Sequence, residues 1–576
     1  MIEAMRAAGG IRLAVVGLLL AGCGETTRKS TRPPPRVQTT APPSMAQRPG
    51  APRITRFGAF SREQLIEDAR QLADILESTH PDPYINGGGR IAFHRRLHRL
   101  LNAIPEEGMT RDEFYRLLRP FVAGVGDAHT ILMGGYRRDR RQPGGVPLRF
   151  AVVESSLVVT SVPRAAQQDL LGARLVSVQD VPLAELLQRQ KQLVGIDNQY
   201  HGLQRLARES LRYKAYLQDL VPEWKNTAHV RVELRSRNGA TLARRLAQPG
   251  LFASWSTRSS RVALPVPDAS GFLYAFLKAP GLEREIAYLR FTHMTGYREH
   301  VEGRDAGARG LSRVPSATAT FRSLVGDMKA RGTEVLIVDV RGNGGGNSLI
   351  VDILIYFLYG KDSLREISGF GTGESGVFRY SRLYFAARPR QSLDSINARR
   401  VVPLVEGDYE FGASFQDGRP VARLLRPLTE PPGFRELRAS PTFGPEFASG
   451  VYSGYWRPKR VMVLCDAGTA SAGFSVVVAL HRLGGMLVGT PSAQAPNSFG
   501  SATGWRLNHT GIEGYVPVIA AVHFPEEPAK ARVLPVDYPL TYERLASYDF
   551  DPNAEYLYAL ELLSRGHDWT PAMTRP

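Results

Sequence analysis

The sequence predicts an α/β fold built on a parallel sheet, and three short apolar runs predict it. Residues 335–340 (VLIVDV) lead into a glycine cluster and then a helical stretch at 349–358. Residues 461–465 (VMVLC) enter a turn of small residues and leave as a helical stretch at 472–483. Residues 486–488 form the third run. Continuous apolar strands beside helices mark a sheet covered on both faces.

The remaining elements follow along the chain. Residues 54–140 read as a helical domain. Ser61 and Gln64 form a capping box before the stripe Leu65, Ile66, Ala69, Leu72, Ile75 and Leu76. His80-Pro81-Asp82-Pro83 ends that helix. Thr110 and Glu113 open a second one carrying Phe114, Leu117 and Leu118, and the segment closes on Gly126-Asp127-Ala128-His129-Thr130. Residues 144–250 change period, with β-branched runs at 148–152 and 157–162 and a helix at 184–194, which predicts a small β-rich module. Residues 280–565 form the α/β domain, beginning with a strand at 286–291 and an amphipathic helix at 320–330. Within it, residues 363–449 read as a long irregular insert rich in Pro, Gly and Arg, suited to a lid or an accessory subdomain. There is no internal repeat.

The chain has 576 residues, 43% hydrophobic and 22% charged, enough for more than one core. Its formal net charge of +18 suits acidic partners, but arginine is spread throughout without a basic run interleaved with aromatics. A nucleic-acid partner is not expected. Two cysteines, Cys23 and Cys465, cannot make a disulfide framework, and Cys465 reads as a buried small hydrophobe. Arg6 and Arg12 precede the apolar stretch 13–20 (LAVVGLLL), the layout of a secretory signal. That stretch ends in Leu20-Ala21-Gly22-Cys23, which resembles a bacterial lipobox. The resemblance implies cleavage after residue 22, lipidation of Cys23 and a membrane anchor in the cell envelope, facing the periplasm. Gly24 in place of Asp favours the outer membrane of a Gram-negative cell. Residues 24–53, rich in Pro and Thr, read as a solvated tether.

Two turns carry chemistry. In residues 339–346 (DVRGNGGG) successive glycines let backbone N–H groups converge on an anion. Asn347 stands where a dinucleotide fingerprint needs glycine, and no Gly-Lys-Ser/Thr follows, so nucleotide binding is excluded. An oxyanion hole or a plain tight turn remains. In residues 466–475 (DAGTASAGFS) Ser471 stands where the helix starts, at the carboxyl end of a strand. Open α/β sheets place their sites there. The alternative is a serine that only caps the helix.

Together these turns resemble the tail-specific (C-terminal processing) proteases and the tricorn core protease. The resemblance runs over roughly residues 60–565. It is carried by Asp339 to Gly346, Thr469 to Ala472, the loop at Gly489 to Ser492, His80-Pro81 with Tyr84, and Asp127 to Thr130. It implies a ClpP/crotonase-like catalytic domain and a serine endopeptidase that forms an acyl-enzyme on unfolded or C-terminal protein segments. Ser471 matches the nucleophile. The N–H groups of Ala472 and of Gly345 or Gly346 match the oxyanion hole. One branch of the family takes its base from a lysine about 25 residues after the serine, and none stands in Pro496-Asn497-Ser498-Phe499. The other branch uses a histidine that His129 matches, with a downstream glutamate near Glu526 and Glu527, of which Glu527 is the better placed. Residues 146–246 resemble a degenerate PDZ-like module that would hold a peptide chain end. The resemblance implies a peptide substrate, no cofactor and no metal, and no HExxH or Cys/His cluster is present.

Two other readings stay open. An α/β-hydrolase esterase would use Ser471, Asp537 and His567, which fall in the right order, although the first glycine of the G-x-S-x-G elbow is Thr469 here. A binding protein of the same fold would cut nothing. Gly473-Phe474 departs from the family's usual residues after the serine, which favours this reading.

Overall fold

The computed structural model describes residues 59–133, 144–247, 255–365, 367, 375–411 and 432–565, apart from 164, 226–227, 269, 280–281, 283–284, 305–309, 389–390, 399, 401 and 525–526. The signal segment, Cys23, the tether and His567 lie outside the described residues.

The helical domain comprises α1 (Arg62–Thr79), α2 (Gly89–Asn102) and α3 (Arg111–Ala123). Both expected capping boxes form, at Ser61 with Gln64 and at Thr110 with Glu113. Leu65, Leu72, Leu76, Phe114 and Leu118 are fully buried. This core is not self-contained, because Trp505, Leu507, Ile512 and Val516 from far downstream complete it. Asp68 docks that downstream hairpin. Its Oδ1 accepts from the His509 N–H at 2.9 Å, and its Oδ2 accepts from the Thr510 N–H and hydroxyl at 2.8 and 2.7 Å. The strand Ile131–Met133 then pairs antiparallel with Glu513–Val516 of the same hairpin. His129 lies two residues before that pairing, so the hairpin sets where its turn sits.

The β-rich module forms a seven-stranded sheet whose core extends to Ala467 in the serine turn. It therefore packs onto the site rather than standing apart. Its helical half, Gln199–Arg205 and a π-turn at Leu206–Ser210, follows the helix Leu183–Lys191.

The α/β domain is a six-stranded sheet of β1 (Phe272–Leu277), β2 (Ile286–Phe291), β3 (Val335–Asp339), β4 (Arg460–Cys465), β5 (Met486–Gly489) and β6 (Tyr538–Pro539), in that spatial order. Only the β1–β2 pair is antiparallel. Alternation assigns the faces. Leu336, Val338 and Val463 pack against α4 (Ala317–Arg331), α5 (Leu349–Arg365) and α6 (Ala472–Arg482). Ile337, Met462 and Leu464 pack against α7 (Ala554–Ser564). Both faces are covered, which is why these strands read as unbroken apolar runs.

The insert at 363–449 departs from the irregular reading. Its strand Ser375–Arg379 joins a four-stranded sheet with Tyr409–Phe411, Ile519–Val522 and Asn497–Gly500. Phe434, Leu437, Phe443 and Phe447 enter the main core. Short strands whose ladder partners lie far along the chain leave no local period to read. Among the described residues no helix is long and apolar enough to cross a membrane, and no group of three or more His, Cys, Asp or Glu could hold a metal ion.

Candidate active site

Two loops leave the carboxyl ends of β3 and β4 and knit together. Asp339, at the end of β3, is fully buried. It accepts hydrogen bonds from the Tyr288 hydroxyl at 2.7 Å, from Arg290 at 3.0 Å, and from Arg341 at 2.9 and 2.7 Å. Arg341 reaches on to Glu555 at 2.7 Å. Burial alone would raise the Asp339 carboxyl. The charge and bonds of Arg341, helped by Arg290 and Tyr288, outweigh it and hold the group below its usual range. This network pins the start of the glycine loop. Asp466 answers from β4, accepting from the Gly342 N–H at 2.7 Å and the Gly468 N–H at 2.9 Å. The Thr469 hydroxyl donates to Val340 O at 2.9 Å, and the Ala470 N–H donates to Asn343 O at 2.9 Å.

Ser471 sits at this junction with φ +52° and ψ −131°. A side-chain-bearing residue is strained there, and such strain persists only where surrounding structure enforces it. Its N–H donates to Gln494 Oε1 at 2.5 Å. Its side chain makes no capping hydrogen bond to α6, so the plain cap does not account for this serine. Gly473 explains one departure from the family pattern: a Cβ there would lie 2.5 Å from Asn343 O.

Gly345 lies directly against the serine. A Cβ on it would fall 2.5 Å from Ser471 Cβ and 2.7 Å from Ala472 N, at φ +98°. Its N–H is engaged by Asn343 Oδ1 at 2.8 Å. That corrects the expectation that Gly345 could serve as an oxyanion donor. Its place is steric. Among the described residues the N–H groups of Gly346 and Ala472 meet no protein acceptor, so both are free to donate to an anion where the two loops meet at the start of α6. Gly345→Ala is therefore expected to displace Ser471 and lower kcat on a peptide substrate by about a hundredfold or more, measured against a retained fold by circular dichroism.

His129 is set by Asp127, which is buried. Asp127 Oδ1 accepts from the His129 and Thr130 N–H groups at 2.7 and 2.8 Å, and Oδ2 meets the Thr130 hydroxyl at 2.6 Å and His80 Nε2 at 3.2 Å. His80 Nδ1 accepts from the Asp82 N–H at 3.0 Å, which assigns the His80 proton to Nε2. Burial would raise the Asp127 carboxyl, but its contacts with His80 and Thr130 bring it down to about 2. His129 is half-buried, with its Nδ1 enclosed and unbonded. Burial pushes its pKa below the ordinary value, against the pull of Asp127. The imidazole is then neutral at pH 7 and free to accept a proton. Ser471 and His129 do not hydrogen-bond to each other in this conformation.

Glu527 is placed elsewhere. It is exposed, at the start of the short helix Pro528–Arg532, and pairs with Lys530 at 2.6 Å. The side chain turns outward to Lys530 instead of toward the His129 turn. Asp537 accepts from the Leu487 N–H at 2.8 Å near the start of β5, at the amino ends of the strands. Asp537 therefore lies away from the Ser471 end of the sheet, where an esterase acid would have to sit. Gln494 went unread in the sequence. It lies two residues before the stretch Pro496 to Phe499, and its role comes from the backbone N–H it meets.

A strained serine at the carboxyl ends of a parallel sheet, with open N–H donors in the two loops that meet there, is the arrangement of a hydrolase. Residues 285–503, which hold β2 to β5 and both loops, match the family model for peptidase family S41. This α/β domain is therefore similar to that family, and the match supports a peptidase. Two solved structures share the fold. Mature CPAF aligns with a TM-score of 0.52 at 11% identity, over 89% of this chain and 99% of that one. Mature CPAF complexed with lactacystin aligns with a TM-score of 0.51 at 12% identity, over 88% and 98%. The photosystem II D1 C-terminal processing protease aligns over 89% and 99% at 14% identity, with a TM-score of 0.39 that carries no weight. No curated protein sequence matches the chain.

Proposed function

We propose that the chain is an envelope-anchored serine endopeptidase that cuts unfolded or C-terminal protein segments through an acyl-enzyme on Ser471. The observation that carries this reading is the strained, uncapped Ser471 beside the open N–H groups of Gly346 and Ala472. His129, neutral at pH 7, takes the serine proton as the hydroxyl attacks the carbonyl carbon. The two N–H groups then hold the negative oxygen of the tetrahedral intermediate, and protonated His129 returns the proton to the leaving amine. Water repeats the cycle to release the acyl group. The attacking contact tightens when substrate binds, as resting-state geometries often require. With Glu527 turned to Lys530, Asp127 and Asp197 are the carboxylates beside the His129 turn.

The finer parts of the reading rest on the sequence. Lipidation at Cys23 tethers the domain to the envelope, at the outer membrane in a Gram-negative cell. The catalytic domain is ClpP/crotonase-like. The module packed over the serine turn acts as a PDZ-like receptor for a peptide end. His129→Ala tests the mechanism: kcat on dye-labelled casein is expected to fall about ten-thousandfold while the protein stays folded. Full activity in that variant would move the base elsewhere.

A further inference from the structure

The segment at residues 195–198 lies between the two catalytic turns. We infer that Asp197 is a positioning residue that holds the His129 turn in register with the loop gripping Ser471. The inference rests on the serine-peptidase reading and gives Asp197 a role that reading leaves open. Asp197 is only 2% exposed. Its Oδ1 accepts from the Ala128 N–H at 2.8 Å, next to His129, and its Oδ2 accepts from the Ala495 N–H at 3.4 Å, next to Gln494. Gln494 takes the Ser471 N–H, and Ala493 donates its N–H to Thr469 O at 3.1 Å. One carboxylate thus bridges the base's turn and the nucleophile's support.

Neighbouring contacts reinforce the bridge. Asn198 Nδ2 donates to Ser492 O at 3.1 Å and to Arg532 O at 3.2 Å, tying the same loop down. Gly195 passes so close to the His129 turn that a Cβ would lie 2.2 Å from Asp127 O. The Asp197 N–H donates to His201 Nδ1 at 3.3 Å. No other described carboxylate joins these two turns.

Both bridging bonds are accepted by carboxylate oxygens, so the bridge is complete only when Asp197 is ionised. The groups facing it are Asp127 on the turn, His201 on its own segment and Arg532 from the helix Pro528–Arg532. Burial, then the charge of Asp127, raises the Asp197 carboxyl to about 7. Activity is therefore expected to rise with pH through that region. Asp197→Asn keeps the shape but turns an N–H donor toward one of the two backbone donors.

The test compares the full chain, Asp197→Asn and Ser471→Ala in steady-state cleavage of dye-labelled casein between about pH 5 and 9. In Asp197→Asn kcat is expected to fall about tenfold to a hundredfold, with KM within about threefold. The acidic limb near 7 is expected to disappear, leaving a lower one set by His129. An unchanged kcat with an unmoved limb overturns the inference. If Asp197→Asn does not fold, the wild-type profile decides: a limb near 7 supports the bridge, and its absence overturns it. If the wild-type chain cleaves no better than Ser471→Ala, the peptidase reading itself has failed, and the inference falls with it.

Discussion

Replacing Ser471 by alanine is expected to lower hydrolysis of dye-labelled casein by about a millionfold, to the uncatalysed background. The same change is expected to leave thermal stability within about 0.5 kcal/mol. The two expectations come from one observation. The hydroxyl makes no capping bond to α6, so its removal breaks nothing the fold needs. Alanine also keeps the Cβ at φ +52°, so the local strain is unchanged. A serine serving only as a helix cap would give the opposite result, with about 1 kcal/mol lost and activity intact.

The second large effect is on stability. Asp339→Ala is expected to cost about 3–5 kcal/mol, because it leaves Arg341 with Glu555 alone and Arg290 without its carboxylate, a surplus positive charge at the root of the glycine loop. The side chain of Arg341 is 9% exposed and cannot turn to water without carrying Glu555 with it. Thermal and urea unfolding, followed by tryptophan fluorescence, measure the loss. Adding Arg341→Leu to Asp339→Ala is expected to recover part of it, since the stranded charge then goes too. No recovery would mean that the loop depends on the geometry of Asp339 rather than on charge balance. Activity should fall with stability in the single variant, because this network also fixes the loop that carries Gly345 and Gly346.

The parts of this architecture that were legible in the sequence obey local rules. The capping boxes at Ser61 and Thr110 announce helices because cap and N3 residue are three positions apart. Residues 335–339 and 460–465 announce buried strands because both faces of the sheet are covered. Ser471 was legible because small residues, a strand and a helix meet at one turn. What was hidden depends on contacts between distant segments. The strand Ser375–Arg379 exists through its pairing with Ile519–Val522. The helical domain's core borrows Trp505 and Ile512, which no composition profile of residues 54–140 could show. Asp197 and Gln494 are single polar residues in loops, defined only by the backbone groups they reach. Glu527, paired outward with Lys530, is a related case, since distance along the chain does not fix which way a side chain faces.

The most direct test of the account is the site of covalent labelling by a serine-directed fluorophosphonate. Intact mass followed by peptide mapping of the labelled chain reads it. One adduct is expected, on Ser471, absent from Ser471→Ala and slowed strongly in His129→Ala. An adduct on another serine, or cleavage of casein that persists without labelling at Ser471, would contradict it.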